Sequence, residues 1–263
     1  MSAAPDTILD VGAAAKSFDG LRAVAGASFT VARGSITALI GPNGAGKTTM
    51  FDLLSGFGRL DAGTIRFDGR EIGGMAPHRI ARLGLVRTFQ LTRVLAGMSV
   101  MDNMLLAAPR QPGEHLVRLL SGPRRARDAE AAARRRARSL LATFGLEAKA
   151  ADYAGALSGG QRKLLEIARA LMTEPALVLL DEPMAGVNPT LGRGILDHIE
   201  ALRRERGTTF LFVEHDMDVV MSRADRVVVM AQGRVIAAGT PAEIRADPAV
   251  TEAYLGGPAE AKP

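Results

Sequence analysis

The chain is 263 residues long and 47% hydrophobic, enough for a self-sufficient core with room for a subdomain, which excludes disorder throughout. It contains no cysteine, which excludes disulfides, thiolate metal sites and cysteine nucleophiles. The net charge of +5 matches the seven arginines less two acids between 124 and 138, and aromatics are 4% of the chain, so no nucleic-acid partner is expected.

The N-terminus lacks a basic stretch leading into an apolar one, so no secretory signal is expected; no apolar run exceeds about five residues, too short for a bilayer. Strand-like runs lie at 8–11, 24–31, 35–40 and 64–67, and Phe18-Asp19-Gly20, Arg33-Gly34 and Asp68-Gly69 between them read as hairpin turns. A helix over 47–54, closed by Ser55-Gly56, interrupts this series. Helices at 98–107 and 124–144, rich in Ala, Leu and Arg, read as an inserted helical subdomain. The arginines go round the second of these, the pattern of a solvated face rather than of a stripe for lipid head groups or acidic loops. From 161 onward helices (161–172, 189–206, 217–223) alternate with strands (177–180, 210–213, 226–230, 234–237). Such alternation implies an α/β fold with a mainly parallel sheet. The expected division is 1–90 for a β subdomain with the first part of the core, 91–156 for the helical subdomain, and 157–263 for the rest of the core and a tail.

Three motifs carry chemistry. Gly41-Pro42-Asn43-Gly44-Ala45-Gly46-Lys47-Thr48-Thr49 fits G-x-x-x-x-G-K-[ST] between a strand and a helix. Glycines let such a loop wrap closely, its N–H groups point inward, and the helix start favours an anion. Lys47 would reach the β- and γ-phosphates of a nucleotide, and Thr48 would offer an oxygen to Mg²⁺. The second motif is the apolar run 177–180 followed by Asp181-Glu182-Pro183. Acids at the carboxyl end of a buried parallel strand stand where such sheets place ligands; Asp181 would hold Mg²⁺ and Glu182 would act as general base. The third is Leu157-Ser158-Gly159-Gly160-Gln161. It has the spacing of a helix capping box and also presents N–H groups to an anion, and both readings hold at once.

The order of these motifs, with Gln90 and His215 at their places, resembles the ATP-binding cassette of ABC transporters over nearly the whole chain. The resemblance implies a RecA-like P-loop core with a mainly parallel sheet, an N-terminal antiparallel β subdomain and an inserted helical subdomain, binding ATP and Mg²⁺. It implies that Phe18 stacks on adenine, that Gln90 contacts Mg²⁺ and links to the membrane subunit, and that His215 is the γ-phosphate switch. Ser158, Gly159 and Gly160, with Gln161, would close over ATP held by a second cassette in a head-to-tail dimer. By the residues alone, Phe18 also fits a core aromatic, Gln90 a surface turn, and His215 a helix-cap neighbour or a satisfied core group. One departure is Asn188, where the family often has Asp; it keeps a hydrogen-bonding side chain and loses the charge.

More finely, residues 181–189, Glu214-His215-Asp216-Met217, the tail 248–256 and the segment 115–126 resemble the ATPase subunit of branched-chain (hydrophobic) amino acid importers, the LivG type. Urea-importing and lipopolysaccharide-exporting cassettes share parts of this pattern. The resemblance implies a peripheral, transport-coupled ATPase at the cytoplasmic face of the inner membrane. Its partners would be integral-membrane permease subunits, a second cassette and, indirectly, a periplasmic solute-binding protein. A soluble GTPase would need an Asn/Thr-Lys-x-Asp guanine reader, which none of the five lysines supplies. A small-molecule kinase would not need the third motif, and cassettes acting on DNA or ribosomes usually carry a second cassette or long coiled-coil insertions.

Overall fold

The structure, a computed structural model, describes residues 6–88, 94–109 and 123–255. The chain forms two compact units: residues 1–87, 176–183 and 199–263 make the first, residues 88–175 and 184–198 the second.

The first unit holds two sheets. One is antiparallel, in the order β2-β1-β4-β5, with β1 Thr7–Phe18, β2 Leu21–Ala32, β4 Ala62–Phe67 and β5 Arg70–Glu71. Asp19-Gly20 joins β1 to β2 with both residues at positive φ (45° and 86°), the geometry of a two-residue turn matched to strand twist. Asp68-Gly69 does the same for β4 and β5. The expected hairpin at Arg33-Gly34 is corrected by the structure: β3 (Ile36–Ile40) leaves β2 and enters the other sheet, between the strands at Thr209–Val213 and Arg226–Ala231. The reason is burial. All five side chains of β3 are buried, which needs a neighbour on each side, whereas β2 alternates buried and exposed positions. Strand β1 also runs seven residues past the expected 8–11, through an Ala-rich stretch of low β-propensity; its pairing with β2 carries it, with register shifts around Ala14.

The second sheet has the order β10-β9-β3-β8-β7-β6, with β6 Leu85–Arg87, β7 Leu177–Asp181, β8 Thr209–Val213, β9 Arg226–Ala231 and β10 Arg234–Gly239. All its pairings are parallel except β10 on β9. Helices α1 (Lys47–Leu54), α2 (Pro77–Leu83), α7 (Met217–Arg223), α8 (Pro241–Ala246) and α9 (Pro248–Leu255) belong to this unit, with the last part of the helix Pro189–Arg206. Met50, Phe51 and Leu54 of α1 pack with Ile8, Phe29 and Ile65 of the antiparallel sheet and Leu39, Leu179 and Leu211 of the parallel one, a single apolar core.

The second unit is helical: α3 (Val100–Leu106), α4 (Pro123–Thr143), α5 (Gly159–Leu171) and the first part of α6 (Pro189–Arg206). Ala137, Leu140 and Leu141 form the buried face of α4. Arg136 turns inward and closes the end of α5: its Nη2 donates to the Leu171 carbonyl at 2.6 Å and its Nε to the Met172 carbonyl at 3.1 Å. These are carbonyls that a helix C-terminus leaves without intrahelical donors. Asn103, fully buried, clamps the approach to α3 by bonding Leu95 through both ends of its amide.

Candidate active site

The fully buried strand β3 delivers the glycine-rich loop to the carboxyl edge of the sheet, and α1 begins at Lys47. Two glycines fix how the loop lies. A Cβ on Gly41 would stand 2.0 Å from the Met230 carbonyl oxygen, and one on Gly46, at φ +98°, would stand 2.3 Å from the Ala23 carbonyl oxygen. Gly46 is the N-cap of α1 and supplies no side-chain acceptor, so the first-turn amides are left for an anion. Lys47 is buried; its ammonium donates to the Gly41 carbonyl at 2.7 Å and the Pro42 carbonyl at 3.0 Å. Burial holds its pKa below the usual lysine value, and the negative charge of Glu182 acts against that shift.

A cavity of about 650 Å³ opens over this loop, walled by Phe18 and Leu21 at the β1–β2 turn, by loop and helix residues from Asn43 to Thr49, and by Glu182, His215 and Gln232. Phe18 is not a core aromatic: it is half-exposed, with the Lys16 ammonium 5.3 Å from its ring centre. Glu182 follows β7 with φ +46°, a left-handed conformation that costs a residue with a Cβ about 1–2 kcal/mol. Its amide donates to the Val213 carbonyl at 3.1 Å, which aims the side chain at the cavity. There Glu182 Oε1 meets His215 Nε2 at 2.6 Å. His215 is therefore neither a mere cap neighbour nor a core group; the helix cap beside it is Asp216.

Asp181, one residue earlier, faces elsewhere. It is buried and is not on the cavity wall; its Oδ2 accepts from Arg87 Nη2 at 2.8 Å. Ser158, Gly159, Gly160 and Gln161 belong to the second unit. The capping box is formed there: Ser158 Oγ accepts from the Gln161 amide at 3.2 Å and Gln161 Oε1 from the Ser158 amide at 3.0 Å, with Ser158 and Gly159 exposed. Gln90 lies outside the described residues. Arg87, Leu21 and Gln232 were not anticipated, and neither was Tyr254 on α9. Burial pushes the Tyr254 phenol upward, and its interaction with the Gly41 backbone acts against that. A second cavity of about 490 Å³ lies on that side, between Pro42, Asn43, Gly44 and Ala45 of the loop and Ala249, Glu252 and Ala253 of α9.

A strand, a glycine-rich loop and a helix, with a buried lysine turned back onto the loop and a carboxylate–histidine pair across the cavity, define a P-loop nucleoside triphosphatase. The chain belongs to the ABC transporter family, whose pattern it matches over residues 24–185. A second match, to the branched-chain amino acid ATP-binding cassette transporter family, covers residues 234–260. Among curated relatives, the probable branched-chain amino acid transport ATP-binding protein LivG of Archaeoglobus fulgidus is 44% identical over 241 residues, 92% of each chain. The high-affinity branched-chain amino acid transport ATP-binding protein BraF of Pseudomonas aeruginosa is 43% identical over 249 residues, 95% of this chain and 98% of the relative. Among solved structures, the ADP conformation of an ATP-binding cassette of an ABC transporter superposes with a TM-score of 0.80 at 36% identity, covering 95% of this chain and 99% of that one. The cassette fold expected from the sequence is thus the fold present, and the chain is an ATP-hydrolysing subunit of an ABC transporter.

Proposed function

We propose that this chain is the ATPase subunit of an importer of branched-chain amino acids, seated on the cytoplasmic face of the inner membrane. It would work with integral-membrane permease subunits, a second cassette and, indirectly, a periplasmic solute-binding protein. The names of the relatives and the match over residues 234–260 support the cargo. No helix among the described residues is long and apolar enough to cross a membrane. The exposed, capped start of α5 supports a second cassette, since it leaves Ser158 and Gly159 open to a nucleotide held elsewhere.

The observation that carries the reading is the 2.6 Å contact between Glu182 and His215 on the wall of the phosphate-loop cavity. In this reading Phe18 stacks on the base, the loop amides and Lys47 bind the phosphates, and Glu182 takes a proton from the attacking water. His215 holds Glu182 in place before nucleotide arrives and turns to the γ-phosphate afterwards. Lys47 then exchanges the Gly41 and Pro42 carbonyls for phosphate oxygens, a step favoured because hydrogen bonds between two charged groups are stronger than those to neutral carbonyls. The donors are hard oxygens of the kind Mg²⁺ takes: the Thr48 hydroxyl on the cavity wall and, behind that wall against Arg87, the Asp181 carboxylate, which would reach the ion through water. Bound there, Mg²⁺ would offset the charge of the phosphates. Gln90, in the same reading, contacts Mg²⁺ and carries nucleotide state to the permease.

The test is uptake of labelled leucine in a strain deleted for this gene and shown to have no second such importer. The wild-type gene should restore high-affinity uptake. Glu182→Gln should not, while its purified chain binds ATP normally and turns over at least about 100-fold more slowly. Unchanged uptake in the deletion strain overturns the cargo, and near-normal hydrolysis by the variant overturns the role of Glu182.

A further inference from the structure

A charge cluster built on a buried arginine sits beside the phosphate-loop helix and is not part of the cavity wall. Arg87, the last residue of β6, has a side chain only 7% exposed. Its Nη2 reaches Asp181 Oδ2 at 2.8 Å, while its Nη1 reaches Asp52 Oδ1 at 2.5 Å and Ser55 Oγ at 3.3 Å. Its guanidinium carbon lies 5.7 Å from the centre of the Phe51 ring. The two carboxylates come from different elements, Asp52 from α1 and Asp181 from β7, and would repel each other without the cation between them. Placing a guanidinium at such a buried position is costly, and here both Nη arms of the fork are engaged.

The positions of the two arms give the cluster a purpose. Asp52 follows Thr48 by four residues on α1, so the two share a helix face one turn apart. Arg87 therefore spans from the face that carries Thr48 to the strand end that carries Asp181. Those are the two oxygens that the proposed function assigns to Mg²⁺, and the inference rests on that assignment. We propose that Arg87 is a positioning residue for magnesium-dependent nucleotide binding: a strut that sets the separation of Thr48 and Asp181. Arg87 touches neither nucleotide nor metal; it acts through the two carboxylates. Lysine would keep the charge but could not serve both arms with one ammonium.

The test is calorimetry with a non-hydrolysable ATP analogue, in Mg²⁺ and in EDTA, on wild type, Arg87→Met, Arg87→Lys and Asp52→Asn. Wild type should bind more tightly with Mg²⁺ than in EDTA. Arg87→Met should match wild type in EDTA within about twofold and lose about tenfold of the Mg²⁺ enhancement, equivalent to about 1.4 kcal/mol. Arg87→Lys should recover part of it. Asp52→Asn, which removes the charge from the arm to a residue 43% exposed, should lose a smaller part and carries the test if Arg87→Met does not fold. A full Mg²⁺ enhancement in Arg87→Met, or in Asp52→Asn where that variant carries the test, overturns the proposal. So does an equal loss of affinity in both media, which would make Arg87 a prop of the fold alone. A wild-type chain with no Mg²⁺ enhancement overturns the magnesium assignment itself, and the strut with it.

Discussion

Replacing Gly46 by alanine tests whether the loop geometry is imposed by its surroundings. The new Cβ would stand 2.3 Å from the Ala23 carbonyl oxygen, where real Cβ atoms stay beyond 3.0 Å, so the loop or β2 must yield by about 0.7 Å. The obstacle is backbone of a paired strand, which cannot swing aside as a side chain would. The backbone at φ +98° adds strain of about 1–2 kcal/mol, and forcing the contact adds about 1–3 kcal/mol. Gly44 is the internal control. It also has positive φ, at 78°, but an added Cβ meets nothing within 4 Å, so Gly44→Ala carries only the conformational part. Without nucleotide, Tm should fall by about 5–15 °C for Gly46→Ala and about 2–6 °C for Gly44→Ala. Differential scanning fluorimetry in EDTA reads both. Equal falls, or an unchanged Tm in Gly46→Ala, would refute the view that contact with β2 dictates the loop.

Lys47→Ala should weaken ATP binding by more than ADP binding, because the γ-phosphate contact exists in one case only. Calorimetry in Mg²⁺ decides, and equal losses for the two nucleotides count against that role. Ser158→Ala removes an acceptor from the start of α5 and should destabilise the chain by about 1 kcal/mol. ATP affinity of the isolated chain should stay unchanged; a loss there contradicts assigning Ser158 to a nucleotide held by another cassette. His198 lies edge-on to Phe144, with ring centres 5.1 Å apart, and burial holds its pKa below 6.5. The unfolded chain then takes up a proton on this residue that the folded chain refuses, so stability is undiminished above pH 6.5 and is lost as pH falls from 6.5 toward the lowered value. Urea denaturation of His198→Leu should show a shallower acid-side loss than wild type between pH 7 and 5, and an identical slope would exclude His198 as its source.

What could be read from the sequence was whatever is encoded locally. The runs 177–180 and 210–213 are apolar throughout because their strands are buried on both faces. Asp-Gly pairs mark two-residue hairpins because both residues tolerate positive φ. Helix α2 and strand β6 went unanticipated although Pro77 at the helix start and Gly84 at its C-cap were there to be used. The C-terminal half of β1 offered no such signal, since Ala-rich sequence becomes strand only through its neighbour. The site divides the same way. Each phosphate-loop residue is local, but the Glu182–His215 contact joins residues 33 apart through the adjacency of β7 and β8. Arg87 meets Asp181 across 94 residues, and only the parallel pairing of β6 with β7 brings them together.

The central place of β3 also sets a timetable for synthesis. Ile36 pairs with Phe210, and Thr37 pairs with Arg226, so the strand that ends at Ile40 has no lateral neighbour until most of the chain has been made. The antiparallel sheet of β1, β2 and β4 is complete in sequence by Phe67 and can close early, whereas the phosphate loop must wait for β8 and β9. At ordinary elongation rates that wait is roughly 10–40 s, a period in which a mainly apolar five-residue strand stays unpaired. Nascent chains should therefore acquire nucleotide binding late and abruptly, after β9 has left the ribosome, and until then the exposed strand is where aggregation would start.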